Sequence, residues 1–448
     1  MRKRILPILF FGVLACFLLA FLFYNLPPVH SRLAWRLENL WYKINPPKQE
    51  VFVPSEQGTI ATLAQATTLA QVTALAFTPT PTITQSPLPT PTPLAPEDTP
   101  QPTSTSTITP TPTPTPTLLP TSISLQGVKY EDQHNRFNYC APANLAMALS
   151  YWGWQGNRDT VGPVIKPDAK DKNVMPYEMV DYVLGYTNLK AIVRVGGDLE
   201  RLKHFIASGF PVLVEKGVYF RDLQGEVSWM GHFQVLTGYD DAQGIFVAQD
   251  SYVKADTPVP YNEMIAEWRS FNYTYLIIYP PEKEADVMAL LGPDADETYN
   301  YRSALQKASE EISIMAGIDL FFAWYNYGTN LVNLQDYAGA ANAYDQAYTI
   351  YPTIPEKERP WRAVWYQTGP YFAYYYTARY QDVIHLADIT LGSMKSEKNL
   401  EESYLWRGRA RLQIGDTSGA IEDFKDALKW HPGWAPAIAE LQALGIEP

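Results

Sequence analysis

Residues 78–120 alternate threonine with proline almost without relief, and no single core can form across such a stretch in this chain of 448 residues. Proline fixes φ and has no backbone N–H to donate, so the segment reads as an extended, semi-rigid spacer. The Ala/Thr/Leu/Gln-rich residues 57–77 before it offer no core either. Residues 49–122 are therefore expected to form a disordered Thr/Pro-rich stalk, of a composition that also suits O-linked sugars. What lies on either side must be organised separately.

On the N-terminal side, Met1-Arg2-Lys3-Arg4 precedes an apolar run over residues 5–26. About 20 apolar residues span a bilayer as a helix, and leading basic residues keep the N-terminus in the cytoplasm. The expectation is a cytoplasmic tip and single transmembrane helix over 1–26, a juxtamembrane segment over 27–48, and everything later outside the membrane. No small-x-small cleavage site follows the run, which favours a retained anchor. Val13-Leu14-Ala15-Cys16 loosely resembles a lipoprotein processing box, but the apolar run continues past it. A net charge of −12, with no basic cluster outside the N-terminal region, argues against a nucleic-acid partner.

Beyond the stalk, Cys140 is the one cysteine outside the apolar N-terminus. It opens the apolar-periodic Cys140-Ala141-Pro142-Ala143-Asn144-Leu145-Ala146-Met147, which reads as a buried helix. A thiol at a helix N-terminus feels the positive end of the macrodipole, which favours thiolate. Later segments read as a helix capped by Asp198 over 199–208, strands at 191–195, 211–214, 232–238 and 245–248, a helix at 261–268 and a last strand at 273–279. Helices come first and an antiparallel sheet follows, an α+β order. His232 is expected to begin a strand after Gly231, whose lack of a side chain leaves room for substrate or thiol. Asp250 follows the next strand, so two neighbouring strands can hold its carboxylate against the far nitrogen of His232. The Gln133 amide and the Cys140 backbone N–H offer donors for a developing oxyanion. No pair of histidines has ligand spacing, so neither a metal nor another cofactor is expected.

With Gln133, Cys140-Ala141-Pro142-Ala143-Asn144, Gly209-Phe210-Pro211-Val212-Leu213-Val214, Gly231-His232-Phe233-Gln234-Val235-Leu236-Thr237-Gly238-Tyr239-Asp240 and Gln249-Asp250-Ser251 in this order, residues 123–281 resemble the C39-like peptidases, a papain-like family. The resemblance implies Cys140 as nucleophile, His232 as general base and then acid, Asp250 as its orienter and Gln133 as oxyanion donor. Two positions depart from the family pattern: Ala141 stands where glycine is usual, and Ser251 where proline is common. The chain has no Walker-type glycine loop, so leader-peptide cleavage coupled to export does not carry over.

The last third repeats itself. Trp324, Gly328, Ala340, Tyr344, Ala347 and Pro352 fall at tetratricopeptide offsets, and Tyr404, Gly408, Ala420, Phe424, Ala427 and Pro432 repeat them. Residues 365–394 look like a degenerate unit between the two. The expected architecture is thus a C39-like α+β domain over 123–283 and an all-α tetratricopeptide domain over 284–448. The expected function is a membrane-anchored extracytoplasmic cysteine peptidase, acting on a peptide or protein substrate and recruiting a protein partner through the repeats. Two alternatives share the resemblance: an acyltransferase or transglutaminase-type enzyme using the same thioester, and a non-catalytic peptide-binding scaffold.

Overall fold

The computed structural model describes residues 50–55, 119–221, 227–394 and 397–448. The expected transmembrane run, the juxtamembrane segment and most of the expected stalk lie outside the described residues. Among the described residues, no helix is long and apolar enough to cross a membrane.

Among the described residues, seven antiparallel strands form one sheet. They are β1 (Ser122–Ser124), β2 (Lys190–Arg194), β3 (Val212–Arg221), β4 (Val227–Asp240), β5 (Ile245–Asp250), β6 (Lys254–Pro260) and β7 (Tyr275–Tyr279). Their spatial order is β2-β7-β3-β4-β5-β6, with β1 beside the far end of β4. Helices cover both faces. On one lie α1 (Cys140–Tyr151), α2 (Arg158–Ile165) and α3 (Pro176–Tyr186), packed on Leu213, Phe233, Val235, Leu276 and Ile278. On the other lie α4 (Leu199–Ala207), α5 (Tyr261–Arg269) and α6 (Glu284–Leu291), packed on Val212, Val214, Leu236, Tyr275 and Ile277. Successive residues of β3 and β7 thus serve opposite cores, which is why both read as unbroken apolar runs. Val287 and Leu291 of α6 are fully buried in the sheet core, so that core continues past residue 283.

The sheet departs from expectation at β4. It begins at Val227 rather than at His232, because the β3–β4 ladder runs unbroken from Val212↔Leu236 to Arg221↔Val227. His232 consequently sits five residues inside a strand. The space over Gly231 is also filled: a Cβ there would come within 2.8 Å of Phe271 and 3.2 Å of Tyr366. The glycine accommodates neighbouring rings, and the room expected for substrate at that position is taken.

From α7 (Glu297–Ile312) onward the chain is helical. α8 (Gly317–Asn333) with α9 (Tyr337–Ile350), α11 (Gly369–Tyr376) with α12 (Tyr380–Gly392), and α13 (Glu401–Gln413) with α14 (Thr417–Trp430) form three stacked hairpins. A short α10 (Ala363–Tyr366) follows the first hairpin, and α15 (Ala435–Ala443) closes the stack. Gly328 lies against the Tyr344 ring and Gly408 against Phe424, where added Cβ atoms would come within 3.0 and 2.6 Å. The small residues are what let paired helices approach this closely.

The repeats do not stand apart from the sheet domain. Trp229 and Phe271 share one core with Phe321, Phe322 and Tyr325 of α8. Asn326 Nδ2 donates to the Arg269 carbonyl at 2.7 Å, and the Asn272 and Asn330 amides bond each other. Residues 50–55, at the start of the expected stalk, are docked on the repeats. Phe52 is 3% exposed, with its ring 4.8 Å from Tyr348, 5.9 Å from Tyr374 and 5.4 Å from His385. The Ser55 N–H and hydroxyl both donate to Asp382 Oδ1.

Candidate active site

Cys140 is placed by a turn built from asparagines. Asn135 and Asn138 adopt φ of 65° and 45°, a left-handed conformation that asparagine tolerates better than most residues. The Asn138 amide donates to the Lys172 carbonyl at 3.1 Å. The chain then enters α1 with Cys140 as its first residue, no acidic side chain in the first turn, and the thiol only partly buried.

Opposite it, β5 leaves β4 early. The β4–β5 ladder runs from Asp240↔Ile245 to Val235↔Gln249 and includes an extra residue at Thr237. One step beyond it stands Asp250, and the edge of β4 from His232 to Gln234 is uncovered by β5. His232 Nε2 lies 2.9 Å from Asp250 Oδ1, with both side chains 2% exposed. Its other nitrogen, Nδ1, is left free of Asp250, and Cys140 lies in the electrostatic field of His232. Asp250 is held from all sides. Oδ2 accepts from the Gln234 amide, and Oδ1 also accepts the backbone N–H groups of Tyr252 at 2.8 Å and Val253 at 3.1 Å.

The electrostatics follow from these contacts. Burial pushes the Cys140 thiol up, but the His232 hydrogen bond and charge, the Phe233 N–H and the Lys166 cation outweigh it and bring it below the ordinary thiol value. Burial opposes a charged His232, yet the Asp250 carboxylate and its hydrogen bond raise the imidazole to about 9. Burial likewise opposes a charged Asp250, and His232 with the surrounding donors holds its carboxyl well below the usual range. A depressed thiol beside a raised imidazole is a thiolate–imidazolium pair in waiting.

Gln133 is tied to the same strand end. Its N–H donates to the Ser251 carbonyl at 2.9 Å, and its Oε1 accepts the Ser251 hydroxyl at 2.7 Å. With the oxygen spent, the NH₂ is the end of the amide left to donate. Ser251 is fully buried and also accepts from Asn144 Nδ2 at 2.8 Å, which in turn donates to the Cys140 carbonyl at 2.9 Å. One hydroxyl therefore links the nucleophile helix, the Gln133 turn and the Asp250 strand. Serine is too common a residue for its position to have drawn attention in the sequence, where Ser251 registered only as a departure from proline.

Other residues at the site were not legible. Phe220 at the end of β3 lies edge-on to His232 at 5.1 Å and stacks on Tyr252 at 4.1 Å, which meets the exposed His134 at 5.1 Å. Tyr366, from the short helix after the first repeat, lies with its ring against Gly231 and in the electrostatic field of Cys140. Glu215 on β3 is buried in that same field, and both effects raise its carboxyl well above the ordinary value. Elsewhere, Glu178, Glu401 and His431 bring metal-ligand atom types within 4.8 Å of one another. None of the three belongs to the Cys140–His232–Asp250 relay.

Helices on one face and the edge of an antiparallel sheet thus gather a thiol, an imidazole and a carboxylate at one place. Residues 125–276 match the model of the Peptidase C39-like family, and residues 323–354 and 401–433 match tetratricopeptide repeats. The chain thus carries a C39-like peptidase-family domain followed by tetratricopeptide repeats. A solved structure of a Bacillus anthracis protein, named for its likeness to C39 peptidases, is similar at 18% identity, with a TM-score of 0.29; the match covers 35% of this chain and 96% of that one. No curated protein matches the chain.

Proposed function

We propose that the protein is a cysteine peptidase that hydrolyses peptide bonds through Cys140, His232 and Asp250. The observation that carries this reading is the grouping itself: Asp250 on one imidazole nitrogen of His232, and Cys140 in the field of the same ring. In the proposed cycle the Cys140 thiolate attacks the scissile carbonyl, and the Cys140 N–H with the Gln133 NH₂ receives the oxyanion. His232 gives its proton to the leaving amine, leaving a thioester. Water, deprotonated by His232, then attacks that thioester and frees Cys140. Asp250 fixes the ring orientation and stabilises the imidazolium throughout.

In this reading the apolar run over 5–26 anchors the enzyme, with both folded domains outside the membrane, and the repeats present surface to a protein partner. The docking of Phe52 ties the repeats to chain lying soon after the anchor.

The test compares peptide hydrolysis by the parent chain with Cys140→Ala and Gln133→Ala. The first is expected to abolish cleavage, and the second to lower kcat by about 10²–10³-fold, the usual effect of removing one oxyanion donor. Cleavage that survives Cys140→Ala would exclude the reading.

A further inference from the structure

Between the C39-like domain and the repeats lies a half-buried group of ionisable side chains that the Cys140 chemistry does not use. Glu178 comes from the first turn of α3, Glu401 opens α13, and His431 follows α14. Glu401 is 2% exposed and its neighbour Glu402 8%. His431 Nδ1 lies 2.7 Å from Glu401 Oε1, and its ring stacks on Trp434. Glu178 Oε2 accepts the Met175 N–H at 2.7 Å.

One feature of this group calls for a positive partner. The second oxygens of Glu401 and Glu402 are both buried with no hydrogen bond. A buried carboxylate oxygen without a donor is costly, and two on adjacent residues doubly so.

We propose that Glu178, Glu401 and His431 bind a divalent transition-metal ion, zinc by preference, which pins the repeats to the C39-like domain. Mixed imidazole and carboxylate donors suit zinc, whereas calcium and magnesium favour oxygen ligands alone. Donors around a tetrahedral zinc lie about 3.4 Å apart, given metal–ligand lengths of about 2.1 Å. The three atoms therefore draw in from their 4.8 Å spread as the His431–Glu401 hydrogen bond opens. A water completes the fourth position. Sequence spacing could not reveal this group, because its donors come from three elements in two domains.

The test uses the full chain with Cys140→Ser, to remove the competing thiol, stripped by chelator and titrated with Zn²⁺ by calorimetry. One zinc per chain is expected, with release of protons, and Glu401→Gln and His431→Gln should each weaken binding at least tenfold. If either variant fails to fold, Glu178→Gln, which loses one charge at constant shape, is expected to show the same loss. Absence of saturable zinc binding by the Cys140→Ser chain, or unchanged affinity in the folded variants, overturns the proposal.

Discussion

At the scale of single residues, the site depends on opposed shifts in two neighbours. His232 titrates near 9 in the folded chain against an ordinary 6.5, so its protonated form is the one the fold prefers. The stability this contributes is complete below about 6.5 and is lost as the pH rises through about 9. The thiolate–imidazolium pair loses its proton over the same range, so kcat/KM is expected to fall on an alkaline limb near pH 9. Activity flat from pH 8 to 10 would count against the Asp250–His232 contact as the cause. Ser251 offers a second test. Ser251→Ala strips a buried partner from Gln133 and Asn144, a change expected to cost about 1–3 kcal/mol in thermal unfolding. It should also lower kcat more than it raises KM, since the Gln133 amide loses its orientation; an equal loss in both would place Ser251 in substrate binding instead. The rare residue types, Cys140 and His232, were readable in the sequence because their order and spacing are distinctive. Ser251, Phe220 and Tyr366 were not, because what gives each its role is a contact made across the fold.

At the scale of elements, periodicity located the helices and strands with two buried faces but missed those at the margins. β6 carries Lys254, Asp256, Pro258 and Pro260, a composition that argues against a strand. It forms at the edge of the sheet, where only one side needs backbone partners and proline is tolerated. β4 was read too short, as a strand that begins at His232 after Trp229-Met230-Gly231. In the fold that stretch is strand, with Trp229 buried against Phe271 and Phe322 at ring-centroid distances of 5.7 and 5.6 Å. The repeats were legible through their small residues, and these make a direct prediction. Gly408→Ala drives a methyl toward the Phe424 ring and is expected to destabilise the third hairpin by about 1–3 kcal/mol, an overpacking cost. Hydrogen exchange across residues 401–430 would report it; unchanged protection there would mean that the hairpin yields without strain.

At the scale of the whole molecule, the stalk and the repeats take parts that their composition did not suggest. The sequence presents residues 49–122 as one coreless spacer. Phe52 nevertheless enters the repeat core, because Tyr348, Tyr374 and His385 form a nest that a single apolar ring can fill without any regular element of its own. Phe52→Ala should weaken this docking by about 3 kcal/mol, within the range for a buried phenylalanine. The expected result is fast amide exchange of Ser55 with the repeats still folded; continued protection would show that the Asp382 hydrogen bonds suffice. The repeats in turn donate Tyr366 to the surroundings of His232, and Arg362 Nη1 donates to the Ser228 hydroxyl and Trp229 carbonyl at 2.6 and 2.9 Å. One face of the repeats is thereby committed to the C39-like domain. The surface left for a separate partner is correspondingly smaller than three free hairpins would offer. The central claim is that Cys140 is an activated thiol and that His232 activates it. It is tested most directly by the rate at which a small alkylating probe labels Cys140 in the full chain at neutral pH, with and without His232→Ala. The expected result is labelling faster than a model thiol in the parent chain, with that advantage lost in the variant. Equal rates in the two chains would contradict it.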